Sequence, residues 1–161
     1  MQKAISNTSP LLYLYRADLI NLLPNIFNEI DTTQSVADEL RRGLELGYDV
    51  PDLIHYKWLK IKENPKIPSG WLHKSLGKGE ESVLIMGTEN PDSILLMDDQ
   101  LARTAAKIEG LKIFGTLKLL IEFKAKGLIT EVKPAIEKVS EAGMWISGKV
   151  KERILKLADE I

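Results

Sequence analysis

Four consecutive apolar residues, Ile94-Leu95-Leu96-Met97, run straight into two carboxylates, Asp98-Asp99, and this constrains the fold more than any other stretch. A strand with one wet face alternates apolar and polar residues. An unbroken apolar run suits a strand covered on both faces, as in a parallel sheet. Shorter strand-like segments surround it. Ala4-Ile5-Ser6-Asn7 leads to Thr8 and Ser9 as candidate caps and Pro10 as a first-turn residue. Leu11, Leu12, Tyr15, Leu19, Leu22 and Leu23 then recur at helical spacing and predict a helix over 11–23, broken by Pro24. Glu29 to Thr33 predicts a second strand. Ser35 is the expected N-cap of a helix that buries Val36, Leu40 and Leu44 and ends near Gly47.

Trp58-Leu59-Lys60-Ile61 is the one strand-like piece of a stretch punctuated by Pro51, Pro65, Pro68 and Gly70. A helix over 79–87 precedes the central strand. Residues 100–109 form a helix through Leu101, Ala105 and Ile108, closed by Gly110. Lys112-Ile113-Phe114-Gly115 returns as a strand, and a helix over 117–126 ends at Gly127. Strands alternating with helices define an α/β domain with a mainly parallel central sheet and right-handed crossovers. Its expected extent is 1–133. Residues 134–161 read as a helical extension, with a short helix around 135–141 and an amphipathic one through Ile146, Val150, Ile154 and Leu157. That stripe packs on the domain itself or on a partner.

With 161 residues, 44% of them apolar, the chain is long enough to bury its own core. No apolar run is long enough for a membrane span. Met1-Gln2-Lys3 leads directly into the first strand rather than into a signal peptide, so a cytoplasmic location and no membrane partner are expected. Cysteine is absent, so thiolate sites are excluded and a metal would be held by oxygen atoms or the two histidines, which favours hard cations. A net charge of -1 argues against a wholly basic nucleic-acid binder but leaves local patches open.

In open parallel sheets the ligand site lies beyond the carboxyl ends of the strands. The first strand delivers Asn7, Thr8 and Ser9 there, and the central one delivers Asp98 and Asp99. An adjacent acidic pair also serves as a helix N-cap with a first-turn carboxylate, so the pair alone proves little. At about 100° per residue, Glu39 lies at the edge of the face defined by Val36 and Leu40, whereas Asp38 and Glu45 point to solvent. Glu80 falls on the side of Val83, Leu84 and Gly87 in a helix apolar nearly all round. A carboxylate there must protonate, pair or bind a cation, unless it only caps the helix start.

Four segments in this order, Ser6-Asn7-Thr8-Ser9-Pro10-Leu11, Val36-Ala37-Asp38-Glu39-Leu40, Gly77-Lys78-Gly79-Glu80 and Leu95 through Arg103, resemble PIN-domain signatures. Gly115-Thr116 after the next strand resembles one prokaryotic subgroup of that family. The likeness spans about Ile5 to Ile129. It implies a three-layer α/β/α fold and a metal-dependent endoribonuclease using Mg²⁺ or Mn²⁺, with toxins of toxin–antitoxin pairs among its relatives. Carried over, the metal site would be Asn7, Glu39, Glu80 and Asp98. The catalytic acids would be Glu39, Glu80, Asp98 and Asp99, and Thr8, Ser9 and Arg103 would hold phosphate. Asp99 is an alternative to Asp98, and Glu81 to Glu80. Asn7 departs from the wider family's aspartate and removes one charged ligand. A catalytically weak or inactive scaffold binding RNA or protein is therefore the alternative.

Between Tyr48 and Lys78, aromatics interleave with lysines, a composition that suits single-stranded RNA, although Trp58 and Trp71 are more readily read as core residues. His55 and His73 carry no assigned role. The expected partners are RNA, an antitoxin protein and a second copy of the chain.

Overall fold

The computed structural model describes residues 2–161. Five parallel strands, β1 (Gln2–Ser6), β2 (Phe27–Thr33), β3 (Leu59–Lys62), β4 (Ile94–Leu96) and β5 (Lys112–Phe114), form one sheet in the order β3-β2-β1-β4-β5. The helices are α1 (Thr8–Arg16), α2 (Gln34–Glu45), α3 (Lys78–Glu89), α4 (Gln100–Ile108), α5 (Thr116–Ala125), α6 (Val132–Glu141) and α7 (Gly148–Leu157). Every residue of β4 is buried. Neighbouring side chains on a strand point to opposite faces, so both faces of the sheet are covered. Helices on the two sides complete a three-layer α/β/α fold, in which α3 packs on β1, β2 and β4 and against α4, while α1 packs with α5 and α6.

The chain leaves β1 for β2 on one side and later places β4 on the other, so the direction of winding reverses between β1 and β4. Ser6 and Leu96 are register partners at the carboxyl ends of these strands. The Asn7 amide still donates to the Leu96 carbonyl at 2.9 Å, and beyond it the two connections diverge and open a crevice.

Several elements differ from their sequence expectation for local physical reasons. The first helix ends at Arg16, because the Ala17 and Leu19 amides return to the Tyr13 and Leu14 carbonyls and Asp18 adopts a φ of 60°. Aspartate tolerates that left-handed conformation better than branched residues do. Residues Ile20–Asn25 follow as a 3-10 helix with Pro24 inside it, and this turn buries Leu19 and Leu23. The N-cap of α2 is Thr33, whose hydroxyl accepts from the Val36 amide at 3.3 Å; Ser35 is already helical. Leu44 is partly exposed, leaving Val36 and Leu40 as the buried face. On α4 the inward residues are Ala102, Ala105 and Ala106, whereas Leu101 and Ile108 are each 67% exposed. Small side chains let α4 approach α3 and β5 closely.

The C-terminal helices pack on α1 and α5 of the same chain. In α7, Ile154 and Leu155 are buried, Ile146 and Val150 lie half-buried beside them, and Leu157 faces outward. Glu160 fastens the end: its carboxylate accepts from the Val132 and Lys133 amides at 2.7 and 3.0 Å and from the Lys124 ammonium at 3.0 Å. Those amides are first-turn donors of α6 that have no partner within the helix. Among the described residues no helix is long and apolar enough to cross a membrane.

Candidate active site

The first turn of α1 lies between two acids from distant parts of the chain. Asn7 is its N-cap, 5% exposed, but the Asn7 side chain caps nothing. The Thr8 and Ser9 hydroxyls, expected also as helix caps, are turned to carboxylates. Thr8 Oγ1 donates to Glu39 Oε2 at 2.7 Å, and Ser9 Oγ donates to Asp98 Oδ2 at 3.0 Å. Buried hydroxyls fix the strand end beneath, with Ser6 Oγ donating to the Asn7 carbonyl and Thr32 Oγ1 to the Ser6 carbonyl.

Asp98, half-buried after β4, is held at both oxygens. The Thr116 amide donates to Oδ1 at 2.7 Å, and the Thr116 hydroxyl to Oδ2 at 2.7 Å. This sets the carboxylate at the N-terminus of α5, where the helix dipole favours an anion. Thr116 was legible only as part of a family-like Gly-Thr pair; its fully buried side chain orients Asp98. A Cβ on Gly115 would lie 2.6 Å from Arg103 Nη1 and 3.1 Å from Asp98 Oδ1, so only glycine admits both groups at this spacing. Asp99 is more exposed and accepts from the Ala102 amide at 3.0 Å, so the capping alternative describes one of its oxygens.

Glu80 sits in the first turn of α3 and folds back toward Gly77, the helix N-cap. Partial burial, followed by the nearby charges of Asp99 and Glu39, raises its pKa above the ordinary carboxylate value, against an opposing hydrogen bond from the Gly77 backbone. Its neighbour Gly79 lets α3 approach the other two elements. A Cβ there would stand 3.1 Å from Glu39 Oε2 and 3.6 Å from both Asn7 Oδ1 and a Val36 methyl. A 2.7 Å hydrogen bond between the buried Thr33 and Ser82 hydroxyls ties α2 to α3 just below.

Together these groups line one open cleft of about 450 Å³ containing Asn7, Thr8, Ser9, Glu39, Glu80, Asp98 and Asp99. Arg103 lies in the adjoining groove, which shares Asp98 with the cleft. Tyr13 and Trp145 also line the cleft and were not anticipated. Trp145 lies outside both helical stripes; its place between Gly143 and Ser147 was the available signal. The Tyr48 to Lys78 stretch contributes no lining residue. Within it, Trp71 is buried, Trp58 donates to Asn21 at 3.3 Å, and His73 contacts Glu109.

Among the described residues, none of Glu39, Glu80, Asp98 and Asp99 has a Lys, Arg or His ion-pair partner. The donors are carboxylate and amide oxygens carrying unneutralised charge, which suits a hard divalent cation. Among the same residues no three acidic or imidazole groups stand close enough to hold an ion between them. The donor chemistry therefore fits, with solvent left to complete a coordination shell.

Fold and site define a doubly wound α/β domain with a carboxylate-lined crevice at its topological switch point. The DUF3368 family model, a PIN domain, matches residues 3–160, and the chain belongs to that PIN-domain family. Comparison with curated proteins gave no match. The PIN domain is a nuclease-like fold, and its members generally use divalent metal ions.

Proposed function

We propose that this protein is a metal-dependent endoribonuclease. One observation carries the reading: Glu39, Glu80, Asp98 and Asp99, from three separate regions of sequence, line one cleft with Asn7 and have no cationic partner among the described residues. Asn7, Glu39, Glu80 and Asp98 would hold Mg²⁺ or Mn²⁺ partly through its water shell, since among the described residues no three acids stand close enough to bind the ion directly. A cation bound there polarises a phosphate and lowers the pKa of its bound water.

The remaining work falls to the chain. Thr116 and Ser9 keep Asp98 from rotating. Thr8 restrains Glu39 in the same way. Glu80, at the start of α3 on the cleft wall, would accept a proton from the attacking water. Arg103 stands beside Asp98 on the side where a phosphate would arrive.

Calorimetric titration of Mn²⁺ into wild type, Asn7→Asp and Asp98→Asn, followed by RNA cleavage assays, tests this. Binding should weaken at least about tenfold in Asp98→Asn and tighten about tenfold in Asn7→Asp, since ligand charge sets affinity for hard cations. Cleavage should follow the same order. Absence of Mn²⁺ binding in both wild type and Asn7→Asp would sink the reading. It would favour the alternative, an inactive scaffold for RNA or protein, which the neutral Asn7 and the separation of the acids support.

The proposal extends to a cytoplasmic toxin held by an antitoxin protein. Induced expression of wild type, but not Asp98→Asn, should then arrest growth.

A further inference from the structure

The acidic cleft adjoins a second groove whose floor is largely apolar, with Leu117, Ile146, Val150 and Ile154, and whose charged groups are mostly cationic. This neighbour, about 470 Å³, lies between the start of α5 and the α6–α7 connection. Arg103, Lys118 and Arg153 line it, and its one carboxylate, Asp98, is the residue it shares with the cleft. Lys118 pairs with Glu122 at 2.9 Å, whereas neither Arg103 nor Arg153 has a carboxylate partner among the described residues. Met144 and Trp145 line both spaces and form the ridge between them. Trp145 is 86% exposed. An exposed indole at the border of a carboxylate-lined cleft and an arginine-bearing groove offers a stacking face to a ligand that is aromatic and anionic at once.

Resting on the nuclease reading above, we infer that this groove is a binding track for single-stranded RNA, with Trp145 as the platform for a base next to the scissile phosphate. The flanking phosphates run along Arg103 and Arg153, the two unpaired cations. Charge complementarity selects the occupant: an acidic cleft repels a polyanion unless a cation sits in it, and the adjacent arginines supply the attraction that seats the strand. Stacking on an exposed indole needs a base with a free face, so an unpaired strand fits and a duplex does not. The Tyr48 to Lys78 segment, with no residue in either space, is not part of the track.

Fluorescence anisotropy with a short labelled single-stranded RNA in calcium, which suppresses cleavage, provides the test. Trp145→Ala should weaken binding about tenfold while Trp145→Phe keeps most of the affinity. Arg153→Glu should weaken binding and flatten its salt dependence. Lys66→Glu, from the excluded segment, should change neither, and the RNA duplex should bind more weakly than the single strand. Unchanged affinity in Trp145→Ala overturns the track. So does a loss that only tracks conversion of a dimer to a monomer in sedimentation, which would assign this face to a second copy. The two readings separate in manganese. Trp145-dependent binding without cleavage keeps the track and removes the nuclease, whereas Trp145→Ala cleaving RNA with wild-type KM keeps the nuclease and removes the track.

Discussion

At Glu80 the electrostatics of the cleft fall on one carboxyl. Burial and the charges of Asp99 and Glu39 favour its protonated form, so ionised Glu80 works against folding. Because its pKa is raised in the folded state, the stability linked to its proton is present below the unfolded value. It is lost as pH rises through the folded one. Glu80→Gln should therefore raise the thermal midpoint at pH 7 by about 2 °C, and the advantage should vanish in acid. Melting curves at both pH values measure it; a Glu80→Gln variant less stable than wild type at pH 7 would show that a favourable charge had been removed. Saturating Mn²⁺ should stabilise wild type more than the variant, because ligand that binds only the native state adds to stability.

The elements are held in register by contacts that only a particular residue size permits. A Cβ on Gly87 in α3 would fall 2.8 and 2.9 Å from the two methyl carbons of the wholly buried Leu95, and 3.1 Å from Leu111. Gly87→Ala should gain about 1 kcal/mol in helix propensity. It should lose about 2 kcal/mol through overpacking against the central strand. Urea denaturation should then show net destabilisation. Gly148, at the start of α7, has open space around its Cβ position, so Gly148→Ala should be neutral or slightly stabilising in the same experiment. Helix periodicity in the sequence placed Gly87 on the side of Val83 and Leu84 but did not tell how little space lies there. On α4 the same periodicity picked out Leu101, Ala105 and Ile108, of which only Ala105 is buried; Ala102 and Ala106 join it where α4 packs on α3 and β5.

At the scale of the whole molecule, the last residues are tied to the core. Burial pushes the Glu160 carboxyl up, but the Val132 and Lys133 amides and Lys124 outweigh it and hold its pKa below the usual carboxylate range. A lowered folded pKa contributes stability that is present above the unfolded value and lost as pH falls through the folded one. Glu160→Gln should lower the denaturation midpoint at pH 7 and lessen the loss of stability in acid, as pH-dependent chemical denaturation would register. An unchanged midpoint would mean that the end of the chain frays in solution. The sequence alone determined the parallel α/β fold, because Ile94 to Met97 is apolar without alternation and strands alternate with helices throughout. It also marked Asn7, Asp98 and Asp99 at strand ends and Glu39 and Glu80 on half-buried helix faces, while the resemblance to PIN domains joined them into one site. Only the tertiary structure decided that Thr116 holds Asp98 and that Trp145 stands beside the acids. These depend on contacts between segments far apart in the chain, and periodicity within one segment carries no information about what another brings alongside it.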